Sequence, residues 1–283
     1  MFVFKAAVVG AGTMGGEIAH VIASAGIPVV LKDVADDRVR AGLDRARSPW
    51  QAQVDDGKLD RDELERRAGL ITPATDYAAF GDVDLAIEAV PERMEVKHAV
   101  FSELDEATPG QAILASNTSA LSITEIGQAT IRPDKVVGFH FFFPASQSRL
   151  VEVVEGEDTS TETAQAAATF AQAIRKAPIR SADTPGFVVN RMLNAGVTEL
   201  WRAQEESGVD IEEFDGVIGE ASPSKLGPFF IADLLGLDTV VHVAEHMRAS
   251  YGDRFHVHAG MREHVDAGRL GAKTGQGFYD HRR

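Results

Sequence analysis

His140 lies within an apolar run, Gly138-Phe139-His140-Phe141-Phe142-Phe143-Pro144, and a lone carboxylate, Glu152, sits in the next such run, Leu150 to Val154. Desolvation disfavours the imidazolium, so a histidine among phenylalanines is costly to charge. A glutamate beside it offsets that cost and fixes which ring nitrogen carries the proton. Such a pair can act as a general base toward a hydroxyl group. A core histidine bonded to a backbone carbonyl is the plainer alternative for an isolated His.

The N-terminal stretch supplies a second chemistry. Phe4 to Val9 is a short apolar run, followed by Gly10-Ala11-Gly12-Thr13-Met14-Gly15 and by apolar residues at helical spacing from Ile18 to Ala23. After Gly26, Val29-Val30-Leu31 reads as a buried strand ending in Lys32-Asp33. Gly10 permits the tight turn, Gly12 lets backbone approach a pyrophosphate, and Gly15 lets the helix lie close to the sheet. The pyrophosphate is expected at the positive end of the helix. Asp33 is placed to accept bonds from an adenosine ribose and to repel a 2′-phosphate, which favours NAD, although Lys32 beside it could tolerate that phosphate.

The elements that must hold these groups follow the same alternation. A charged helical region runs from about Ala35 to Arg67, with Pro49 interrupting it and Asp55-Asp56-Gly57 as a turn. Strands are expected at 70–72, 83–89, 113–116, 136–139, 150–154 and 178–180. Helices are expected at about 92–108 and 161–176, with a short one after the capping-box sequence Ser122-Ile123-Thr124-Glu125. The alternation implies an α/β doubly wound, mainly parallel sheet. Beyond Asp183-Thr184-Pro185-Gly186 the apolar spacing becomes helical throughout. We therefore expect residues 1–183 to form a dinucleotide-binding domain and 184–283 an all-α domain.

The chain has 283 residues, 44% of them hydrophobic and 25% charged, and no cysteine. That length accommodates about two domains. The absence of cysteine excludes disulfides, thiolate metal sites and cysteine nucleophiles. A formal net charge of −15 argues against nucleic acid and anionic membranes as partners. It also creates a tension, because dinucleotides and activated acyl carriers are anions. No run is long enough to span a bilayer, and the start leads directly into the first strand, so we expect a cytoplasmic enzyme.

Taken together the motifs resemble the 3-hydroxyacyl-CoA dehydrogenase family, which includes the 3-hydroxybutyryl-CoA dehydrogenases. The likeness spans essentially the whole chain. It rests on Gly10 to Gly15, Val90-Pro91-Glu92, Ser116-Asn117-Thr118-Ser119, Gly138 to Pro144, Leu150 to Gly156, Asp183 to Arg191, Leu226 to Phe229, and Lys273 to Asp280. The resemblance implies a Rossmann-type first domain, and oxidation of an L-3-hydroxyacyl-CoA thioester by NAD or the reverse reduction. By position it assigns His140 as base, Glu152 as its partner, Ser119 as the residue bonding the reacting oxygen, and Asn190 as a substrate holder. Gly10, Gly12, Thr13, Met14, Gly15, Asp33, Glu92, Lys97 and Asn117 would line the cofactor. It further implies a homodimer built through the helical domain.

Each residue has a plainer reading: Ser119 a loop serine, Glu152 a solvated edge residue, Asn190 a helix cap, Lys97 a surface lysine. Three positions depart from the family pattern. Phe143 stands where many relatives have asparagine, which would make a wall near the base apolar. Glu17 replaces a small residue near the pyrophosphate helix. No lysine for the CoA phosphates occurs around Ser48-Pro49-Trp50-Gln51, leaving Arg45 and Arg47 nearby. Two further strings are set aside: His242, Glu245 and His246 match an H-x-x-E-H zinc pattern without a third ligand, and Gly271 to Thr274 lacks P-loop spacing. We expect no metal. The alternatives are a dehydrogenase of another 3-hydroxy acid, such as an L-gulonate-type sugar acid, and a non-catalytic dinucleotide-binding relative.

Overall fold

A computed structural model describes residues 2–282. Met1 and Arg283, which the expected domain spans include, lie outside the described residues. The chain divides into two compact units, Met1–Phe187 and Val188–Arg283.

The first unit is built on one eight-stranded sheet. Its strands are β1 (Ala6–Val9), β2 (Val29–Lys32), β3 (Ile71–Ala74), β4 (Leu85–Glu88), β5 (Ile113–Ser116), β6 (Val136–Phe141), β7 (Leu150–Glu155) and β8 (Ala177–Ala182). They lie in the order β3-β2-β1-β4-β5-β6-β7-β8. All neighbours are parallel except β6 and β7, which run antiparallel. Strands β1, β2, β4 and β5 are buried at every position. That explains their largely apolar sequences, since a sheet covered on both faces has no solvent side; the polar exceptions Lys32, Glu88 and Ser116 each close a strand at its C-terminal end. Pro73 cannot donate to a ladder, and it occurs in β3, at the sheet edge.

Helices cover both faces. On one, α1 (Thr13–Ser24), α2 (Asp36–Asp55), α3 (Arg61–Ala68) and α6 (Thr161–Ala173) contribute to a core that includes Ile18, Trp50, Leu64, Phe139 and Phe170. On the other, α4 (Met94–Ala107) and α5 (Ile123–Gly127) pack around Phe80, Phe101, Leu104, Ile126 and Phe187. Ser122 caps α5, its side chain accepting from Glu125 N, as the sequence spacing suggested. Pro49 does not interrupt its helix: α2 runs through it. The helix is held from its buried side, where Gly42, Ala46 and Trp50 face inward, and that packing outweighs the lost backbone bond. Burial of Phe187 in this core carries the first unit four residues past the boundary expected at 183.

The second unit holds α7 (Val189–Ser207), α8 (Ile211–Ala221), α9 (Pro228–Leu235), α10 (Leu237–Tyr251) and α11 (Ala259–Asp266). Trp201, Phe229, Leu237, Val240, Val241 and Met261 form its core. Buried Asp233 ties the C-terminal strap to α9 by accepting from Phe278 N at 3.1 Å and Tyr279 N at 2.9 Å. His242, Glu245 and His246 lie along α10, and Glu245 pairs with Arg262 at 2.8 Å. Among the described residues no group of three or more His, Asp or Glu side chains is arranged to hold a metal ion. No helix among them is long and apolar enough to cross a membrane.

Candidate active site

The glycine turn behaves as its spacing requires. Gly10 has φ +100°, and a Cβ there would meet Ala89 O at 2.6 Å. A Cβ on Gly15 would lie 1.7 Å from Gly10 O, so helix and loop touch through bare backbone. At Gly12, the N-cap of α1, an added Cβ would meet nothing within 4 Å. No side chain caps this helix and its first turn, containing Thr13, Met14 and Gly15, has no acidic residue. The outward-facing N–H groups are therefore unclaimed by side chains, as an anion-binding helix start needs. Asp33, just beyond β2, accepts from Ala11 N at 2.8 Å and Val34 N at 2.7 Å. Each oxygen keeps a lone pair for a ribose hydroxyl. Lys32 turns away from that function: it is buried, with its ammonium 4.1 Å from the centre of the Tyr77 ring.

A charge chain with a buried Lys97–Glu88 pair at its centre and the more exposed Glu92 at its end lies under the next turns. Lys97, only 1% exposed, donates to Glu88 Oε1 at 2.8 Å and Oε2 at 3.0 Å and reaches Glu92 Oε2 at 3.1 Å. It is no surface lysine. Glu88 also accepts from Ser116 Oγ at 2.7 Å and Val90 N at 2.7 Å. Glu92 Oε1 accepts from Thr118 Oγ1 at 2.6 Å and Ser119 N at 3.0 Å. Burial alone would push the Glu92 carboxyl up, but Lys97 and the Thr118 hydroxyl hold it below its ordinary value. Glu88 and Thr118 escaped the sequence reading. The signal for Glu88 was a carboxylate ending an otherwise apolar strand, Leu85-Ala86-Ile87-Glu88.

The antiparallel register of β6 and β7 sets His140 opposite Glu152. His140 Nδ1 lies 2.7 Å from Glu152 Oε2, with the two side chains 7% and 0% exposed. A carboxylate can only accept, so Nδ1 carries a proton, and in the neutral ring Nε2 is the acceptor. Phe142 lies 4.5 Å and Phe187 5.9 Å from the imidazole, centre to centre. Phe143, expected to wall the base, is instead 65% exposed, and Phe142 takes that place against the ring. Asn117 Oδ1 accepts from Phe141 N at 2.9 Å, tying the end of β5 to the residue after the histidine. Ser119, two residues further on, thus sits on a turn anchored beside β6. Asn190 belongs to the second unit, in the first turn of α7, and is not its cap: Val188 holds that position.

Glu17 accepts from Ser146 N at 2.8 Å, so its charge is used in fixing the β6–β7 connection. Arg45 donates to Ala11 O at 3.2 Å, and Arg47 forms an ion pair with Glu65. Both are committed to structure within the first unit.

A glycine turn with an uncapped helix and an aspartate after the second strand, together with a buried His–Glu pair, is the set of features found in dinucleotide-binding folds that carry a general base. Comparison with known proteins narrows the class. Residues 5–184 match the model of the 3-hydroxyacyl-CoA dehydrogenase NAD binding domain, and residues 186–281 match that of the 3-hydroxyacyl-CoA dehydrogenase C-terminal domain. The chain belongs to the 3-hydroxyacyl-CoA dehydrogenase family, and its cofactor is NAD. It is 38% identical over 278 residues to the 3-hydroxyadipyl-CoA dehydrogenase of Escherichia coli, covering 98% of this chain and 58% of that one. It is also similar to the structure of FadB2 from M. tuberculosis, with 36% identity, 99% of each chain covered and a TM-score of 0.87. For the (S)-3-hydroxybutyryl-CoA dehydrogenase PaaH1 of Ralstonia eutropha the identity is 34%, the coverage 99% of each chain and the TM-score 0.92. The chain spans 58% and 39% of two curated relatives it matches, the second being a fatty acid oxidation complex subunit alpha from a Psychrobacter species.

Proposed function

We propose that this protein oxidises an L-3-hydroxyacyl-CoA to the 3-oxoacyl-CoA, or runs the reverse reduction, with His140 as base. The observation that carries this is the buried 2.7 Å bond between His140 Nδ1 and Glu152, which leaves Nε2 as acceptor. NAD held at the glycine turn would supply the acceptor for the hydride that leaves C3. His140 Nε2 takes the hydroxyl proton, and Glu152 balances the imidazolium that forms. Ser119 bonds the reacting oxygen, and orientation supplies part of the rate. Asn190 helps hold the thioester. Gly10, Gly12, Thr13, Met14 and Gly15 bind the pyrophosphate, Asp33 the adenosine ribose, and Glu92, Lys97 and Asn117 shape the nicotinamide end.

We propose further that the protein is a homodimer joined through the second unit. That unit exposes the large apolar side chains Met192, Leu193, Val217, Leu234 and Leu235, which a second copy could cover.

The deciding experiment follows NADH oxidation with acetoacetyl-CoA, 3-oxoadipyl-CoA, a longer 3-oxoacyl-CoA and free 3-oxo acids in parallel. Turnover of thioesters is the expected result. Turnover of free acids alone would transfer the assignment to the sugar-acid type of 3-hydroxy acid dehydrogenase.

A further inference from the structure

The first unit carries a second concave surface that the proposed chemistry does not use. It is a cavity of about 660 Å³ bordered by α1, the α2–α3 turn, the β6–β7 connection and the end of α6. Five of its lining residues are Lys58, Arg67, Arg149, Arg175 and Lys176, and no Asp or Glu lines it. The chain as a whole has 43 acidic residues against 28 Lys and Arg, so this composition runs against its background.

The cations differ in how they are held. Lys58 pairs with Asp56 at 2.8 Å and Arg67 with Glu63 at 2.7 Å. Arg149 and Arg175 have no ion pair or side-chain hydrogen bond among the described residues. Lys176 is 9% exposed, and its ammonium donates to Ala145 O at 2.5 Å and Ser148 O at 2.6 Å, with no carboxylate in contact. Burial lowers its pKa, and Glu17 opposes that only through space.

Backbone conformation supplies an independent observation. Helix α6 ends with Arg175 N bonding Gln172 O and Lys176 N bonding Ala171 O, which makes Arg175 the residue that must turn left-handed. Its φ is +61°. Glycine is the residue suited to that position, and an arginine there is strained. Arg175, in this conformation, is one of the residues lining the cavity, next in the chain to the buried Lys176.

We propose that this cavity is a site for a phosphate-bearing anion, held by Arg149 and Arg175 with Lys176 at its base. Two guanidinium groups without carboxylate partners suit a phosphate, whose oxygens accept paired N–H bonds. The same cluster answers the tension between a −15 chain and anionic ligands, by concentrating positive charge at one concave spot. The phosphate can come from the 3′-phosphorylated nucleotide end of coenzyme A, in which case the inference rests on the proposed substrate, or from a free phosphate or nucleotide.

The test is calorimetric titration of the intact protein with adenosine 3′,5′-bisphosphate and, separately, inorganic phosphate. The wild type, Arg149→Gln, Arg175→Gly and the double variant are compared. Each single change should weaken binding roughly tenfold. Arg175→Gly should at the same time raise Tm, because glycine relieves the backbone; loss of binding in a more stable protein separates the effect from misfolding. Bisphosphate binding far tighter than inorganic phosphate assigns the source to coenzyme A, and equal binding assigns it to free phosphate. The inference is overturned if neither probe binds, or if the double variant binds within twofold of wild type. Turnover of acetoacetyl-CoA is measured alongside: its loss with anion binding intact removes the dehydrogenase assignment and not this site, and the reverse outcome removes this site alone.

Discussion

Replacing Glu152 with glutamine tests the proposed mechanism most directly. The substitution keeps shape and burial while removing one charge from a pair whose atoms lie 2.7 Å apart, on side chains 7% and 0% exposed. In the resting enzyme His140 is neutral in this scheme, and an amide oxygen can still accept from Nδ1. The cost therefore falls on the state in which His140 has taken a proton and faces a dipole where it had a carboxylate. A buried charge-assisted bond contributes about 3 kcal/mol beyond what a neutral one supplies. With a tenfold change per 1.36 kcal/mol, kcat should fall about 100-fold or somewhat more. KM for NAD should stay near its original value, because Glu152 lies on β7, four strands away from β1 and its glycine turn in the sheet. Stopped-flow measurement of NADH formation in a single turnover isolates the chemical step, and a melting curve shows that the variant folds. A second arm, His140→Gln, should lose roughly 10²–10⁴ in kcat, and the double variant should lose little more than the worse single one, since the pair acts as a unit. A folded Glu152→Gln enzyme within threefold of wild type in single turnover would refute the reasoning.

Other expectations concern the cofactor and the fold. If Asp33 meets the adenosine ribose as proposed, with Lys32 buried over Tyr77, kcat/KM should favour NAD over NADP strongly, and Asp33→Ser should narrow that ratio at least tenfold; steady-state kinetics with both cofactors decides. Gly15→Ala should give little soluble protein, because the methyl carbon would lie 1.7 Å from Gly10 O; expression and circular dichroism test this. His20, His258 and His264 are held below their ordinary pKa of 6.5, in each case chiefly by burial. The unfolded chain then binds more protons than the folded one near and below pH 6.5, so the stabilisation is present above 6.5 and is lost as pH falls. Tm should drop between pH 7 and 5.5, and a flat profile would count against it. Light scattering at micromolar concentration should give twice the chain mass, and an active monomer would exclude the dimer.

What could be read from the sequence depended on how local each signal was. The glycine turn, Asp33 and the core strands were legible because buried strands are mostly apolar runs, and each glycine has its own steric reason. The His140–Glu152 pair was legible because one hairpin connects the two residues. The Glu88–Lys97–Glu92 chain was not, since Lys97 on its own reads as a surface lysine and only the sheet brings β4, α4 and the Ser116–Ser119 turn together. Pro49 misled for a related reason: a proline's local preference is weak against the packing of Ala46 and Trp50. The wall beside His140 was misplaced by one residue, and in an extended chain one residue changes which way a side chain points.

The reversal of direction between β6 and β7 has a consequence for how this protein can vary. In a fully parallel sheet, facing residues on adjacent strands are separated by a long crossover, whereas here base and partner are only 12 positions apart. The intervening connection leaves the pair's register to the ladder and contributes Ser146, Gln147 and Arg149 to the basic cavity. Rewriting those three positions is therefore a route to a different anion preference without retuning the histidine. In that sense the hairpin is a cassette whose rails are fixed and whose insert is free to change.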